Sequence, residues 1–552
     1  MRLSEILFGP ARDSAPQLFE RYPPRPLAPG AMVTRFAPSP TGFMHIGGLY
    51  AALISFMLAR HSGGVFFLRI EDTDKVRELE GAVELIVDSM REFGVPPGEG
   101  EIEPGREIGH YGPYRQSARA ALYQVFAREL LDSGRAYPCF ATPEELDALV
   151  AAQRERNQTT GYYGESAIWR DRPLADVQQA LAEGRRFVIR LRSEGAPGAG
   201  TVTCDDLIRG SLQLPANHLD SVVLKSDGLP TYHFAHVVDD TLMRTTHVVR
   251  GDEWISSIPL HLELFDALGW TPPRYAHIAP IQTMDGESRR KLSKRKDPEA
   301  NVRFYLDRGY PRGAVIEYLL NLADSSFEGW RAQHPQADAL DFELALSNLN
   351  VSGALLDLAK LDSIARDHVA RQPVDTVIAE ATGWAARHAP QLHACLTGSP
   401  AYTRAVFELP RRDPARIRKD IATWPDVERA LGFLFDELYA RQSEPAAAAW
   451  LAAASAPLRA AVADVAKLAA VRTRADWQAH VQAAASAHGF ARNKKELQAA
   501  PDRFHGMMSD LYHALRMIVT GTLESPDLWD IIETMSAERV QRRIETMLAR
   551  AG

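Results

Sequence analysis

The chain has 552 residues, of which 45% are hydrophobic and 24% charged, and its formal net charge is -8. At roughly 150 residues per domain this length predicts three or four domains, and the composition excludes a disordered, fibrous or small disulfide-rich protein. A net negative charge argues against binding of nucleic acid through overall basicity, so any nucleic-acid site has to be a local basic patch.

Cysteine usage and hydropathy indicate a reducing, aqueous compartment. Cys139, Cys204 and Cys395 lie far apart in the chain and form no Cys-x-x-Cys pair for zinc. No stretch approaches the roughly 18 consecutive apolar residues of a membrane span, and residues 1–30 lack the apolar core of a signal peptide. We therefore expect a cytoplasmic protein with no membrane-spanning segment.

The amino-terminal part predicts an arm followed by alternating strands and helices. Residues 1–31 end in a proline-rich run, which is incompatible with regular structure and predicts an extended arm. Apolar patterns then predict strands over 32–36 and 65–70 and helices over 46–60 and 79–93. This alternation is typical of βαβ units on a parallel sheet.

The segment 97–220 is more mixed, with a helix expected over 116–131, a second helix opened by the capping box of Thr142 and Glu145, and a strand expected over 187–191. The βα pattern then returns, with strands over 221–225, 246–250 and 277–281 and a helix over 257–268. Two βα blocks that flank a mixed segment predict a sheet domain with another domain inserted into it.

The last part of the chain, after about residue 340, has few strand patterns. It is rich in Ala and Leu with a helical period, for example over 446–470 and 540–549. The fold class expected is therefore α/β, with a parallel sheet, an inserted α+β domain and an all-α carboxyl-terminal region.

The segment RFAPSPTGFMHIGG, from Arg35 to Gly48, runs from the first strand through a loop into a helix. A helix amino terminus at this place directs free N–H groups and the positive end of the helix dipole at a ligand, which favours a phosphate. Gly47 and Gly48 permit close approach, and His45 can donate a hydrogen bond to phosphate. A tight turn and a closely packed helix would use the same residues, so this motif alone leaves both interpretations open.

A second segment, KLSKRK, contains three of the ten lysines of a chain that has 63 basic residues, namely Lys291, Lys294 and Lys296. An ammonium is a compact charge on a flexible stem, suited to following a phosphate whose position changes during a reaction. On a mobile loop such groups close over a leaving pyrophosphate and stabilise the transition state. The alternative is a solvated basic surface.

Together and in this order, the two segments resemble the HIGH and KMSKS signatures of class I aminoacyl-tRNA synthetases. FLRIEDTD at 67–74, GPYRQS at 112–117 and HVVRGDEWISSIPLH at 247–261 are similar to bacterial glutamyl-tRNA synthetases, strongly over 32–325. The resemblance implies a Rossmann-type catalytic domain (32–96 and 221–285) and an inserted acceptor-stem-binding domain (97–220). It further implies a KMSKS-type loop with connecting helices (286–340) and a helical anticodon-binding domain (341–552).

The resemblance also implies a site for L-glutamate. Its two carboxylates need cations and its ammonium needs an anion, and the implied partners are Arg35 and Arg250 for the carboxylates and Glu71 for the ammonium. Isolated arginines at strand ends can equally be surface ion pairs. This chain has His236 where many relatives have Asn, which leaves its contact with the substrate open and allows pH-sensitive binding. The implied lining is completed by Ala37, Ser39, Tyr232 and His236.

For ATP, the resemblance implies binding by His45, Gly47, Gly48, Glu253, Trp254, Lys291 and Lys294, of which His45, Gly48, Lys291 and Lys294 are the implied catalytic residues. A carboxylate attacks the α-phosphorus, pyrophosphate leaves, and a ribose hydroxyl of tRNA(Glu) attacks the resulting adenylate. Mg²⁺ is expected with ATP. Because Cys139 is alone in its segment, no zinc and no other protein-bound metal is expected.

Binding of tRNA is expected at two local basic segments. Arg185 and Arg186 lie in the inserted part, where they can instead be ion pairs along a strand. The other segment lies in the helical region beside Trp424, a candidate for stacking on a base, and contains Arg411, Arg412, Arg416, Arg418 and Lys419. A solvated loop between helices is the alternative for this segment. The enzyme is expected to be a monomer.

Several other functions remain to be weighed against glutamate–tRNA ligase activity. A glutaminyl enzyme normally has a PEPNG-HIGH signature and a β-barrel anticodon domain, which this chain lacks in sequence. A ligase that also charges tRNA(Gln) with glutamate has no distinguishing pattern here. A small-molecule adenylyltransferase would not need the long helical region, and a catalytically inactive RNA-binding relative would be expected to lose His45 or Lys294.

Overall fold

The structure, a computed structural model, describes residues 2–74, 78–103, 105–468 and 471–551. They form two compact units, one extending to Phe304 and including Leu319–Leu356, the other combining Tyr305–Tyr318 with the chain from Asp357 onward. Residue 341, predicted to begin the helical domain, lies inside the first unit, and part of the predicted connecting segment 286–340 belongs to the second. Across the described ranges, no helix is both long and apolar enough to cross a bilayer.

The amino-terminal segment is not simply an extended arm. It contains two helices, α1 (Leu3–Phe8) and α2 (Ala15–Arg21), and regular structure is lacking in the connection 9–14 and in the residues after α2, which include the proline-rich run. Leu18 is completely buried, and the Arg128 guanidinium donates hydrogen bonds to the carbonyls of Ser4, Phe8 and Gly9. The expectation for 1–31 was wrong because tertiary contacts stabilise helices too short to be stable alone.

The first sheet confirms the predicted parallel βα arrangement. Its elements are β1 (Val33–Phe36), α3 (Ile46–His61), β2 (Val65–Leu68), α4 (Ala82–Glu92), β3 (Glu99–Glu103) and β4 (Arg106–Ile108). The strands are ordered β1-β2-β3-β4, with β1, β2 and β3 parallel and β4 antiparallel. Because β3 and β4 extend this sheet, the inserted segment does not begin at 97 as predicted.

The next segment contains two small antiparallel sheets. Its elements are α5 (Ala120–Asp132), β5 (Ala136–Cys139), α6 (Pro143–Glu155), α7 (Leu174–Ala182), β6 (Val188–Leu191), β7 (Thr201–Asp206), β8 (Gly210–Pro215) and β9 (Val222–Leu224). The predicted capping box of Thr142 and Glu145 opens α6. β9 pairs with β6 and not with the parallel sheet, so the predicted boundary at 221 is also wrong.

The chain then returns to the parallel sheet through α8 (Tyr232–Leu242), β10 (His247–Gly251), α9 (Ile258–Ala267) and β11 (Arg274–Ile278). The Thr246 N–H donates to the Val33 carbonyl, which places the start of β10 beside β1, and β10 pairs in parallel with β11. The strand predicted over 277–281 begins and ends three residues earlier, because Pro280 cannot supply a ladder N–H.

An antiparallel hairpin of β12 (Gln282–Asp285) and β13 (Ser288–Lys291) leads into the lysine segment. Three helices follow it: α10 (Val302–Asp307), α11 (Arg312–Ala323) and α12 (Ser326–Gln333).

The second unit confirms the predicted helical region. Its helices are α13 (Leu358–Arg371), α14 (Val374–His388), α15 (Pro390–Gly398), α16 (Pro400–Glu408), α17 (Pro425–Leu431), α18 (Asp436–Gln442), α19 (Glu444–Ala452), α20 (Ala456–Val465), α21 (Arg474–Ala487), α22 (Lys494–Ala499), α23 (Met508–Thr520), α24 (Leu528–Met535) and α25 (Ala537–Ala551). One two-residue pair, β14 (Phe490–Ala491) with β15 (Gly506–Met507), interrupts them. The pattern over 446–470 is split because Ser455 caps a new helix, and residues 469–470 lie outside the described residues.

Candidate active site

A cavity of about 920 Å³ opens in the first unit near the carboxyl ends of β1 and β10, the usual place for a ligand in an open parallel sheet. Its lining includes every predicted glutamate- and ATP-binding residue except His236, namely Arg35, Ala37, Ser39, His45, Gly47, Gly48, Glu71, Tyr232, Arg250, Glu253, Trp254, Lys291 and Lys294. Residues from five separated segments therefore meet at one place.

The phosphate-binding end of the cavity is defined by His45, which caps α3. Its Nδ1 accepts a hydrogen bond of 2.9 Å from the Gly47 N–H, so the proton of the neutral ring is on Nε2. Burial, followed by the charges of Lys294 and Lys291, lowers the pKa of His45 to about 4. His45 is therefore a neutral donor at neutral pH. A Cβ at Gly47 would lie 3.1 Å from Nδ1 and press on the ring.

The two lysines of the predicted loop already have partners. Lys291 Nζ lies 2.9 Å from a Glu253 carboxylate oxygen, and Lys294 Nζ donates to the Phe43 carbonyl at 3.1 Å. Arg290 donates two hydrogen bonds of 2.7 Å to Asp297, which ties the ends of the loop together. The loop thus has a defined shape that brings both ammonium groups to the cavity.

The two arginines of the predicted glutamate site are buried, with exposures of 5% for Arg35 and 6% for Arg250. Arg35 Nε is 3.4 Å from Asp240, whereas no carboxylate among the described residues pairs with Arg250. Arg250 Nε donates to His277 Nε2 at 3.0 Å. Its remaining contacts, at 3.4 to 3.5 Å, are to neutral acceptors of Tyr232, Trp254 and His261. A buried cation without a counter-ion is suited to an anionic ligand, and neither arginine is a surface ion pair.

Glu71 is held by a buried charge network that the sequence analysis missed. Arg69 is fully buried and lies 3.0 Å from Glu71, 2.6 Å from Asp240 and 3.8 Å from Asp239. Burial raises the pKa of Glu71, although Arg69 and Arg35 oppose the shift. Charged residues inside the otherwise apolar stretches FLRI and FAHVVDD were the available signal in the sequence.

Lys225 also lines the cavity and was missed. Its Nζ donates to the Thr73 carbonyl at 2.8 Å. The scarcity of lysine in this chain, which singled out Lys291 and Lys294, applies equally to Lys225 and would have found it.

His236, which the resemblance implies as a substrate contact, is not brought to the cavity lining with the other predicted residues. His236 is completely buried, is not part of the cavity lining, and lies between Asp240 (2.8 Å) and the Tyr275 hydroxyl (3.0 Å). Burial lowers its pKa to about 3, against the effect of Asp240. The ring is therefore neutral over the working pH range, and it does not make glutamate binding pH-sensitive.

No group of three or more potential metal ligands occurs in the described part of the chain. The cavity lining includes three carboxylates, Glu71, Asp74 and Glu253, of which Glu71 is paired with Arg69 and Glu253 with Lys291. These residues do not form a ready site for Mg²⁺, which prefers several oxygen ligands.

Arg185 and Arg186, the predicted tRNA contacts of the inserted segment, differ in how far their side chains are engaged by neighbouring residues. Arg185 donates to the Phe140 carbonyl at 2.7 Å and lies over the Trp169 ring. Arg186 is exposed and pairs with no carboxylate of a described residue. Of these two predicted tRNA contacts, Arg185 is held by neutral groups of the inserted segment, whereas Arg186 is exposed.

Most of the basic side chains at 411–419 are engaged within the second unit. The Arg411 guanidinium binds the last carbonyls of α13, Arg412 lies 3.2 Å from Asp530, Arg418 lies 2.7 Å from Asp420 and Lys419 lies 2.6 Å from Asp367. Arg416 is exposed and has no such partner among the described residues. Trp424 is only 5% exposed and belongs to the apolar core, so the expectation that it stacks on a base is wrong.

Comparison with known proteins identifies the class. Over residues 31–331 the chain matches the family described as tRNA synthetases class I (E and Q), catalytic domain. The chain is therefore an aminoacyl-tRNA synthetase of class I.

Two relatives narrow this assignment. A glutamate–tRNA ligase of Clostridium perfringens (strain SM101 / Type A) is 42% identical over 549 residues, which covers 99% of each chain. One of Sorangium cellulosum (strain So ce56) is 43% identical over 579 residues, covering 98% of this chain and all of the relative. These alignments take in nearly the whole chain, including most of the amino-terminal segment.

A solved structure agrees with them. The crystal structure of a glutamate tRNA ligase from Elizabethkingia meningosepticum, in complex with its amino acid, has a TM-score of 0.74 and 27% sequence identity over 94% of this chain and 99% of that one. The chain belongs to the glutamate–tRNA ligase family, which confirms both the resemblance found in the sequence and the fold class expected from it.

Proposed function

We propose that the cavity binds ATP and L-glutamate, forms glutamyl-adenylate with release of pyrophosphate, and transfers the glutamyl group to the terminal adenosine of tRNA(Glu). The observation that carries this proposal is the unpaired charge of buried Arg250, close to Arg35 and Glu71. Two cations and one anion match the two carboxylates and one ammonium of glutamate.

The residues divide the reaction between them. A glutamate carboxylate oxygen attacks the α-phosphorus of ATP while the bond to pyrophosphate breaks. The His45 Nε2–H and the amino terminus of α3 donate to phosphate oxygens. Lys291 and Lys294 exchange their present partners for the departing pyrophosphate and neutralise its charge. Because the described lining residues offer Mg²⁺ no ready site of their own, the ion would have to enter with ATP, and its charge would then add to the neutralisation that these lysines provide.

In the second step, a ribose hydroxyl of tRNA attacks the carbonyl carbon of the adenylate, and AMP leaves. No protein nucleophile is needed, because positioning and charge neutralisation supply the catalysis. We propose that tRNA contacts include Arg186 and Arg416, whose charges are free. We further propose that the enzyme acts as a cytoplasmic monomer and that it needs no zinc, since Cys139 is alone in its segment and its thiol donates to the Tyr162 hydroxyl.

The same geometry argues for glutamate over glutamine. A guanidinium offers only donors, which complement a carboxylate but oppose the N–H groups of an amide. Binding in this buried site also removes water from the charged groups of both partners. An ion pair with a carboxylate compensates for this desolvation cost, whereas a hydrogen bond to a neutral amide does not.

Pyrophosphate exchange with glutamate or glutamine, each with and without tRNA, tests the proposal. We expect exchange with glutamate only, and the family resemblance predicts that tRNA is required. Arg250→Ala should raise the KM for glutamate about 100-fold, because a charge-assisted pair in a buried site is lost. Arg274→Ala, an exposed arginine of β11, is the matched control. Robust exchange with glutamine would overturn the pocket assignment, and charging of purified tRNA(Glu) and tRNA(Gln) would show whether both are substrates.

A further inference from the structure

Two residues outside the cavity lining, His277 and Asp206, connect to Arg250 through hydrogen bonds. The Arg250 Nε donates to His277 Nε2 at 3.0 Å, and His277 Nδ1 lies 2.6 Å from an Asp206 carboxylate oxygen. His277 is completely buried and Asp206 is 5% exposed. The three side chains form one chain of hydrogen bonds that ends at the cavity.

The direction of these hydrogen bonds is fixed by chemistry. The Asp206 carboxylate can only accept, so His277 Nδ1 carries the proton and donates to it. Nε2 is then bare and accepts from Arg250. Burial lowers the pKa of His277 and the charge of Arg250 lowers it further, against the effect of Asp206, so the ring is neutral. If the proton of His277 were on Nε2, this N–H would point at the Nε–H of Arg250, and neither group could accept a hydrogen bond.

Asp206 is itself held in one orientation. One carboxylate oxygen accepts from the backbone N–H groups of Ile208 and Arg209, both at 2.9 Å, and the other accepts from the His277 backbone N–H and Nδ1. Although burial alone would raise it, these hydrogen bonds lower the pKa of Asp206. The carboxylate is therefore ionised and fully hydrogen-bonded, and the His277 ring separates it from Arg250.

The orientation of Arg250 depends on this support. The hydrogen bond to His277 is its shortest, whereas its two terminal nitrogens make contacts of only 3.4 to 3.5 Å. The guanidinium plane is thus set through Nε, which leaves both terminal N–H groups for a bidentate carboxylate.

We propose that Asp206 and His277 are positioning residues for glutamate recognition, which act by holding the Arg250 guanidinium in the plane that a substrate carboxylate requires. The inference rests on the proposed role of Arg250. It assigns a part in substrate binding to the β7–β8 hairpin, which lies in the segment predicted to bind tRNA, since Asp206 is the last residue of β7.

Two variants of His277 separate a positioning role from mere packing. In His277→Gln, the amide oxygen can reach the Nε2 position and accept from Arg250. In His277→Asn, the amide can donate to Asp206 from the Nδ1 position but leaves Arg250 Nε without an acceptor. Both remove the ring, so their difference reports on the contact with Arg250. We expect the KM for glutamate of His277→Asn to exceed that of His277→Gln about tenfold, with the KM for ATP unchanged.

Asp206→Asn is the second test, because an amide donor favours the wrong tautomer of His277. It should raise the KM for glutamate about tenfold, whereas Asp205→Asn, its exposed neighbour on the same strand, should leave it unchanged. In the wild-type enzyme, ¹⁵N NMR of histidine should find the His277 proton on Nδ1. This measurement remains decisive if the variants do not fold.

Equal glutamate KM values for the two His277 variants, a wild-type value for folded Asp206→Asn, or a proton on Nε2 would each overturn the inference. If Arg250→Ala raises the KM and these variants do not, the positioning inference fails and the proposed function stands. If Arg250→Ala leaves the KM unchanged, the assignment of Arg250 fails.

Discussion

The basic side chains of the catalytic cavity and those of the segment 411–419 are used in opposite ways. In the cavity, Arg250 is buried among neutral acceptors and keeps its charge available. In the helical unit, Arg411 binds carbonyls at the end of α13, and its neighbours Arg412 and Lys419 bind carboxylates. Both Arg250 and Arg411 lack a counter-ion among the described residues, but the terminal nitrogens of Arg250 line a cavity and make contacts of only 3.4 to 3.5 Å, whereas those of Arg411 donate to carbonyls at 2.6 to 3.2 Å. A ligand-binding cation is therefore recognised by weakly engaged donor groups that line a cavity, and not by clustering of basic residues in the sequence.

The largest expected effect comes from the cavity. Lys294→Ala should lower turnover about 100-fold or more while changing the KM for glutamate little, because its charge is needed most as pyrophosphate leaves. Single-turnover adenylate formation and steady-state charging measure the two effects. Arg295→Ala, exposed in the same loop, is the control. Equal losses in turnover and affinity would mean that the loop is only a binding surface.

The pH dependence of the KM for glutamate tests the role of Glu71 in the cavity. Burial raises the pKa of Glu71 above the ordinary value, and only the ionised form accepts the substrate ammonium. As pH falls through this raised pKa, glutamate binding should be lost and its KM should rise about tenfold for each unit below the pKa. Glu71→Gln should have a high KM already and should lack this pH limb.

His236→Asn provides the comparison for Glu71→Gln. Since burial keeps the pKa of His236 at about 3, its replacement should leave the acid limb of glutamate binding in place. If the acid limb of glutamate binding disappears in His236→Asn but persists in Glu71→Gln, the titrating group is His236 and not Glu71.

The smallest effects should separate two arginines of the basic segment. Arg411→Ala removes three hydrogen bonds to carbonyls and should lower the free energy of unfolding by about 1–2 kcal/mol. Arg416→Ala should leave stability within about 0.5 kcal/mol and reduce the salt dependence of tRNA binding by about one phosphate contact. Chemical denaturation and filter binding at several salt concentrations measure these. Weaker tRNA binding in a fully stable Arg411→Ala variant would break the contrast between the two regions.

The sequence predicted those parts of the fold whose signal is local. The apolar periods located β1, α3 and the long helical region, and Pro and Gly punctuation located the ligand-binding loop. The helices of the amino-terminal segment and the sheet membership of β3 and β9 were not predictable this way, because they depend on surfaces supplied by distant residues.

The residues of the candidate site also fall into two groups, those that local sequence motifs predict and those that only the folded structure brings together. Motif resemblance found thirteen lining residues, each inside a recognisable segment. Asp206 and His277 lie 71 positions apart and belong to no motif, so their pairing exists only in the folded chain. His236 was assigned to the substrate by resemblance, whereas its burial between Asp240 and Tyr275 depends on contacts that form only in the folded chain.

The docking of α1 has a consequence for folding during synthesis on the ribosome. Arg128, which holds the end of this helix, lies 119 residues after Gly9. At a synthesis rate of about 5–20 residues per second, roughly 6–24 s pass between the making of α1 and the making of its partner. Six residues do not sustain a helix during that interval. The α1 segment is therefore expected to remain unfolded after it leaves the ribosome and to dock only after α5 has been made.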